Sequence, residues 1–252
     1  ALGGRMLAGA GRWPVTTLIA AMFLSGNLAV AGERQASEFE MALMLTPNVE
    51  NGARLYRSCV SCHGAEGWGN ENGVYPQIAG QLASVTIKQL ADIRAGNRDN
   101  PIMRAFSSSR ALGSAQEIAD VAAYIERLPM TRDNGKLATG DLAHGKKVYE
   151  ENCVDCHGAN GEGDAEKHIP LIQGQHYHYL VRQFNWIRNG RRRNADEEMV
   201  AQIQRFSARD ITAVMAYTAS LQPPEQKLAQ SGWTNPDFPN HWRGWRPTAP
   251  AR

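Results

Sequence analysis

The chain is short of several things. It has only four cysteines in 252 residues, so no dense disulfide framework can hold it together. It has almost no charge imbalance, +2 formally, and a nucleic-acid surface normally declares itself by a strong basic excess. Nucleic acid is therefore not an expected partner. Long apolar runs are nearly absent: one stretch, Val15 to Leu24 (VTTLIAAMFL), stands out, and no second hydrophobic span follows it. No segment alternates apolar and polar residues with the period of two that a half-buried strand needs. The Ser, Asp and His residues form no spacing that suggests a nucleophile with its base. What remains is 42 % hydrophobic content, enough for two modest helical cores of roughly 100 residues each.

The apolar run has the surroundings of a secretory signal peptide. Arg5 and Arg12 precede it, and Ala29-Val30-Ala31 offers small residues at a cleavage site. Residues 1–31 are thus expected to direct export to the periplasm. The alternative is an uncleaved N-terminal anchor that keeps the protein at the membrane, although Ser25, Gly26 and Asn27 interrupt the span. Removing Arg5 and Arg12 with this segment leaves 25 basic and 25 acidic residues.

All four cysteines sit in two copies of one pattern: Cys59-Val60-Ser61-Cys62-His63-Gly64 and Cys153-Val154-Asp155-Cys156-His157-Gly158. A disulfide within C-x-x-C closes too short a loop to stabilise much, and a redox pair needs no histidine after it. C-x-x-C-H is the attachment signature of c-type haem. The sulfurs lie one helical turn apart, where they can bond to the two vinyl groups, and the adjacent histidine lies under the iron. Two covalently attached haem c groups are expected, with His63 and His157 as proximal iron ligands.

The repeat extends beyond the motif. Gly67, Gly69, Pro76, Gly80, Gln81, Gln89, Ile93, Gly96 and Arg98 recur 94 positions later as Gly161, Gly163, Pro170, Gly174, Gln175, Gln183, Ile187, Gly190 and Arg192. Upstream, LYRSC before the first motif resembles VYEENC before the second, with one inserted residue. The chain is a duplicated domain, 45–130 and 142–222, joined by the polar linker 131–141. Each copy predicts an all-α plan. Short helices over 49–57 and 143–151 lead into the motifs. A second helix follows, capped by Ser84 in the first copy and ended by Gly96 or Gly190. A last helix opens with Ser114-x-x-Glu117 or Ser207-x-x-Asp210 and stops at Pro129 or Pro223.

The sixth iron ligand is a methionine or a further histidine, and thioether ligation gives the higher potential. In the first copy, residues 45–130 contain no histidine besides His63, and Met103 lies in the loop between the second and third helices. Met199 occupies the corresponding loop of the second copy. Its rival Met215 falls on the core face of the last helix, and His144, His168, His176 and His178 remain as further donors, read more readily as half-exposed and solvated. Pro76 and Pro170 each stand 13 residues after the haem histidine, where their carbonyls can accept the imidazole N–H. The tail, 223–252, holds Trp233, Trp242 and Trp245 without a helical period. It either wraps the body or docks a partner.

Both C-x-x-C-H-G motifs, the segments Pro76–Gln81 and Pro170–Gln175, the loops Arg98…Met103 and Arg192…Met199 and the ends DVAAYIERL and DITAVMAYTASL resemble the dihaem cytochromes of the cytochrome c4 class. The resemblance implies two class I cytochrome c domains packed face to face with their haem edges close, His/Met ligation, and electron carriage toward terminal oxidases. The expected role is a periplasmic electron shuttle, not an enzyme. Its donor would be a cytochrome bc-type complex or a dehydrogenase, and its acceptor a terminal oxidase or reductase. The alternative is the cytochrome subunit of a dehydrogenase, docked by its tail. A haem enzyme with one open iron position is the third reading.

Overall fold

A computed structural model describes residues 37–239. The signal-peptide expectation for 1–31 lies outside the described residues, as do Trp242 and Trp245 of the tail. Among those described, regular structure is helical, with no sheet and only two isolated bridges, Met130 to Leu228 and Asp164 to Ile169. The first half contains α1 (Glu38–Met44), α2 (Val49–Tyr56), α3 (Val60–His63), α4 (Ala83–Ala95), α5 (Pro101–Ser107), α6 (Ser109–Leu112) and α7 (Ala115–Arg127). The second contains α8 (Leu142–Asn152), α9 (Val154–His157), α10 (Tyr177–Arg188), α11 (Glu197–Ile203) and α12 (Ala208–Ser220).

Each half is built around one helix crossing, α2 on α7 and α8 on α12. A glycine sits at each contact. A Cβ on Gly52 would lie 2.2 Å from the Asp120 carbonyl oxygen, and one on Gly145 would lie 2.1 Å from that of Ala213. Only hydrogen fits there, so the backbones touch. The rest of each crossing is apolar: Tyr56, Ile118, Val121 and Ala122 in one core, Tyr149, Val214, Ala216 and Ala219 in the other. Both capping boxes form. Ser114 with Glu117 opens α7, and Ser207 with Asp210 opens α12.

Three expectations need correction. Ser84 does not cap α4, which starts at Ala83 with Leu82 in the cap position and no side-chain cap. Its hydroxyl instead donates to the Ala165 carbonyl of the other half at 2.7 Å, so the interface takes the group that local sequence assigned to the helix end. The polar segment 131–141, expected as the linker, is buried in part. Thr131 and Asn134 are buried, and Asn134 Nδ2 donates to the carbonyls of Gln175 and Ala219 at 2.9 and 2.8 Å. The loops expected to hold Met103 and Met199 contain helices of their own, α5 and α11, because Asn100 and Asp196 act as caps.

The described part of the tail leaves the second half and packs on the first. The Met130 N–H donates to the Lys227 carbonyl and the Ala229 N–H to the Met130 carbonyl, both at 2.8 Å. Trp233 packs on Trp68, with ring centres 5.9 Å apart, and Phe238 on Tyr56 at 5.8 Å. Asn235 is 2 % exposed, and its Nδ2 donates to the Ala65 carbonyl and to Tyr124 Oη at 2.6 and 2.9 Å. Of the two fates considered for the tail, wrapping is the one observed for these residues.

Candidate haem sites

The two motifs adopt the same local structure. Cys59 and Cys153 precede a single helical turn, α3 or α9, that ends in the histidine, and Gly64 and Gly158 then leave the helix with φ of 80°. Tyr56 Oη donates to the Gly64 carbonyl at 2.9 Å and Tyr149 Oη to the Gly158 carbonyl at 2.8 Å. Each tyrosine ties the turn after the motif to the helix crossing behind it.

His63 is 6 % exposed and His157 9 %. His63 Nδ1 lies 3.1 Å from the Pro76 carbonyl oxygen, and His157 Nδ1 lies 3.1 Å from that of Pro170. A carbonyl only accepts, so the proton sits on Nδ1 and the Nε2 lone pair is left for a metal. Burial lowers the pKa of both imidazoles, and the bond to the proline carbonyl offsets this only in part. The rings are held neutral, the form that ligates. The cysteines are in no disulfide. Burial pushes the Cys59 thiol up to about 11, against a smaller lowering by the Ser58 hydroxyl, and Cys153 up to about 12. A redox-active C-x-x-C needs the opposite shift, so the direction at Cys59 and Cys153 runs against a redox role.

Met103 and Met199 occupy the first turns of α5 and α11. The Asn100 side chain accepts the Met103 N–H at 3.3 Å, and the Asp196 side chain accepts the Met199 N–H at 3.1 Å. The caps that create these helices also fix the methionine backbones. Cys59, Cys62, His63 and Met103 line a cavity of about 1160 Å³, and Cys153, Cys156, His157 and Met199 line the same continuous cavity. Every residue singled out in the two motifs is thus brought to one space with its methionine counterpart.

The rival donors divide. His176 is buried, not solvated: it is 1 % exposed, its Nδ1 accepts the Gly135 N–H at 2.9 Å and its Nε2 lies 2.7 Å from the Trp68 carbonyl oxygen. Both ring nitrogens are committed to packing the halves together. His144 faces Asp210 at 2.7 Å, and His178 is exposed. His168 and Met215 also reach the cavity.

One group was legible in the sequence only in part: Arg98 and Arg192 recur, and the basic run Arg191-Arg192-Arg193 suits haem carboxylates, but nothing local shows that the two arginines meet. Arg98 and Arg192 line the cavity between the two motif sets, and each bonds to both Gln89 and Gln183 at 2.9 to 3.0 Å. Their recurrence at the 94-residue offset was the available signal. Among the described residues neither guanidinium forms an ion pair with a carboxylate, so Arg98, buried, and Arg192, half-buried, are poorly compensated by the polypeptide, with Asp92 opposing only in part. Apolar walls, paired thiols, a neutral imidazole and a thioether lining the same cavity, and guanidiniums without an ion pair fit a haem, which brings an apolar macrocycle, two vinyl groups and two carboxylates.

The cytochrome c family model matches residues 49–129 and again 142–222. A thiosulfate dehydrogenase electron acceptor of Stutzerimonas stutzeri is 32 % identical over 80 % of this chain and 95 % of its own. A cytochrome c4 of Pseudomonas aeruginosa is 29 % identical over 82 % of this chain and 98 % of its own. The crystal structure of reduced recombinant cytochrome c4 from Pseudomonas stutzeri matches with a TM-score of 0.61 at 27 % identity, covering 70 % of this chain and all of that one. Two repeated C-x-x-C-H turns, one helical shell around each and these relatives agree: the chain belongs to the cytochrome c family, as two tandem cytochrome c domains of the cytochrome c4 kind that bind two haem c groups covalently and transfer electrons.

Proposed function

We propose that the protein is a periplasmic carrier of single electrons with His63 and Met103 as the axial pair in the first domain and His157 and Met199 in the second. Cys59 and Cys62, and likewise Cys153 and Cys156, form the thioether links. The observation that carries this is the duplicated geometry: in both halves a neutral histidine is held by a proline carbonyl at 3.1 Å, and a methionine pinned by a helix cap lines the same cavity.

Bound haem supplies a one-electron iron couple. The chain's own part is to set that couple and keep it from doing anything else. The Pro76 and Pro170 carbonyls fix ring orientation and raise ligand basicity. Met103 and Met199 would supply the second ligand to each iron, and a thioether there would favour the reduced state relative to imidazole. The buried tyrosines hold the turns rigid, so that a change of valence requires little rearrangement. With a histidine and a methionine both available to each iron, the donor set would leave no open position for oxygen or peroxide, which supports a carrier over a catalyst.

The donor is a quinol-oxidising complex of the cytochrome bc type or a dehydrogenase, and the acceptor is a terminal oxidase or reductase. Similarity to an electron acceptor of thiosulfate dehydrogenase favours the dehydrogenase as donor. It also supports a second reading, a cytochrome subunit held on such an enzyme. Docking through the tail is less suited to that role than expected, since Trp233, Asn235 and Phe238 are already used against the first domain. Co-purification with a large catalytic chain would favour the subunit.

The test is a redox titration of the exported holoprotein with optical spectra. Met103→His is expected to lower one midpoint markedly and leave the other almost in place; an unchanged pair removes Met103 from the ligand set. Carbon monoxide binding readily to the reduced wild-type protein would reject double Met ligation and favour a haem enzyme.

A further inference from the structure

The arginine and glutamine group between the halves is crossed, not merely shared. Arg98 Nη1 donates to Gln89 Oε1 of its own half at 2.9 Å, and its Nη2 to Gln183 Oε1 of the other half at 3.0 Å. Arg192 does the reverse, Nη1 to Gln183 and Nη2 to Gln89, both at 3.0 Å. Each amide oxygen accepts from both guanidiniums, so neither arginine can move without its partner. Tyr179 Oη, also from the second half, accepts from Arg98 at 3.2 Å. Asn194 Nδ2 donates to Gln89 and to Asp92 at 3.1 and 2.9 Å, which locks the far side.

Bringing two like charges together in a buried site is costly unless an anion compensates them. Burial, and then the neighbouring Arg98, pulls the Arg192 pKa down to about 9, which marks how poorly the polypeptide compensates the pair. The acceptors the two guanidiniums bond directly, Gln89, Gln183 and Tyr179, are neutral; Asp92 acts on Arg192 without an ion pair and offsets the shift only in part. Both arginines line the cavity that also holds both C-x-x-C-H sets, so the missing negative charge is available from the haem carboxylates of either domain.

We propose that Arg98 and Arg192 act as one positive bridge common to both haem centres, so that each arginine sets the reduction potential of the haem in the other domain as well as its own. This rests on the two-haem carrier reading above. The physical reason is Coulombic: in a site of low effective dielectric a charge is felt well beyond its contact partners, and the crossed amides hold both charges where the two halves meet. Loss of either positive charge favours the ferric state, which carries one more positive charge, at both centres.

The experiment is a spectroelectrochemical titration of holoprotein variants Arg98→Gln and Arg192→Gln, each alone. No assignment of the two couples is needed, because the readout is how many midpoints move. With a shared bridge, each variant lowers both. With independent domains, Arg98→Gln moves one midpoint and Arg192→Gln moves the other, and that result overturns the proposal, as does no movement in either. If an arginine variant fails to retain haem, Gln183→Glu carries the same test. It places a negative charge beside both guanidiniums at nearly unchanged volume and is expected to lower both midpoints; a single shift again overturns the proposal. Failure of the underlying reading looks different, since the wild-type protein would then not titrate as two one-electron couples.

Discussion

Gly52→Ala tests the packing logic of the first domain most sharply, because two effects of similar size oppose one another. Within a helix, alanine is favoured over glycine by about 1 kcal/mol. Gly52 lies inside α2, and no positive φ is recorded for it, so local backbone preference alone makes the variant more stable. Against this stands the Asp120 carbonyl oxygen, 2.2 Å from where the new methyl would be. That neighbour is backbone and cannot rotate aside. Helix α2 must lift from α7, loosening Tyr56, Ile118 and Val121. Overpacking of this kind costs about 1–3 kcal/mol, and a clash with a fixed carbonyl belongs near the upper end. The net is a loss of about 2 kcal/mol, which for a domain of this size lowers Tm by roughly 10 °C. The assay is thermal and urea unfolding of the holoprotein followed by far-UV circular dichroism, with haem content checked by mass. Gly145→Ala, 2.1 Å from the Ala213 carbonyl, should repeat the result in the second domain. Either variant proving as stable as wild type, or more so, would refute the claim that these glycines exist to let backbones touch.

His176 should make stability pH-dependent. Its Nδ1 accepts and its Nε2 donates, so protonation sets an N–H against the Gly135 N–H; burial accordingly holds its pKa below 6.5, with the Trp68 carbonyl and Glu71 opposing in part. A depressed folded pKa means that the contribution is complete above about pH 6.5 and is lost as pH falls below it, by at most about 1.4 kcal/mol per pH unit. Urea midpoints measured from pH 7.5 to 5 should fall less steeply in His176→Gln, and parallel curves would count against this role. Asn235→Ala leaves the buried Ala65 carbonyl and Tyr124 hydroxyl short of partners, at a cost of about 1–3 kcal/mol. Hydrogen exchange should quicken in α2 and α7 while α8 and α12 stay protected; uniform quickening would place the effect elsewhere.

The repeated elements were the readable ones. A 94-residue offset exposed the duplication, and the capping boxes at Ser114 and Ser207 marked both last helices within a residue. The proline carbonyls were legible for the same reason, since equal spacing from His63 and His157 constrains where a chain can return. What stayed hidden depended on contacts between distant segments. Ser84 looked like a cap because local sequence says nothing of Ala165, 81 residues away. Asn134 read as polar linker because its burial depends on carbonyls at Gln175 and Ala219. His176 looked like a surface residue until Trp68 and Gly135 closed on its ring. The glycine crossings did leave a trace, since Gly52 and Gly145 share the 93-residue offset of Tyr56 and Tyr149, but a glycine in a helix carries no sign of what lies above it.

The path of residues 223–239 bears on how the molecule is assembled. Ribosomes make the first domain first, yet Trp233, Asn235 and Phe238, which finish its rear wall, are made only after the whole of the second domain. The earlier half therefore waits, incomplete, until the later half is out and the strand beyond it has swung back. A transcript cut after Gln222 would still encode both attachment motifs, but it would deliver a protein whose older half is never latched.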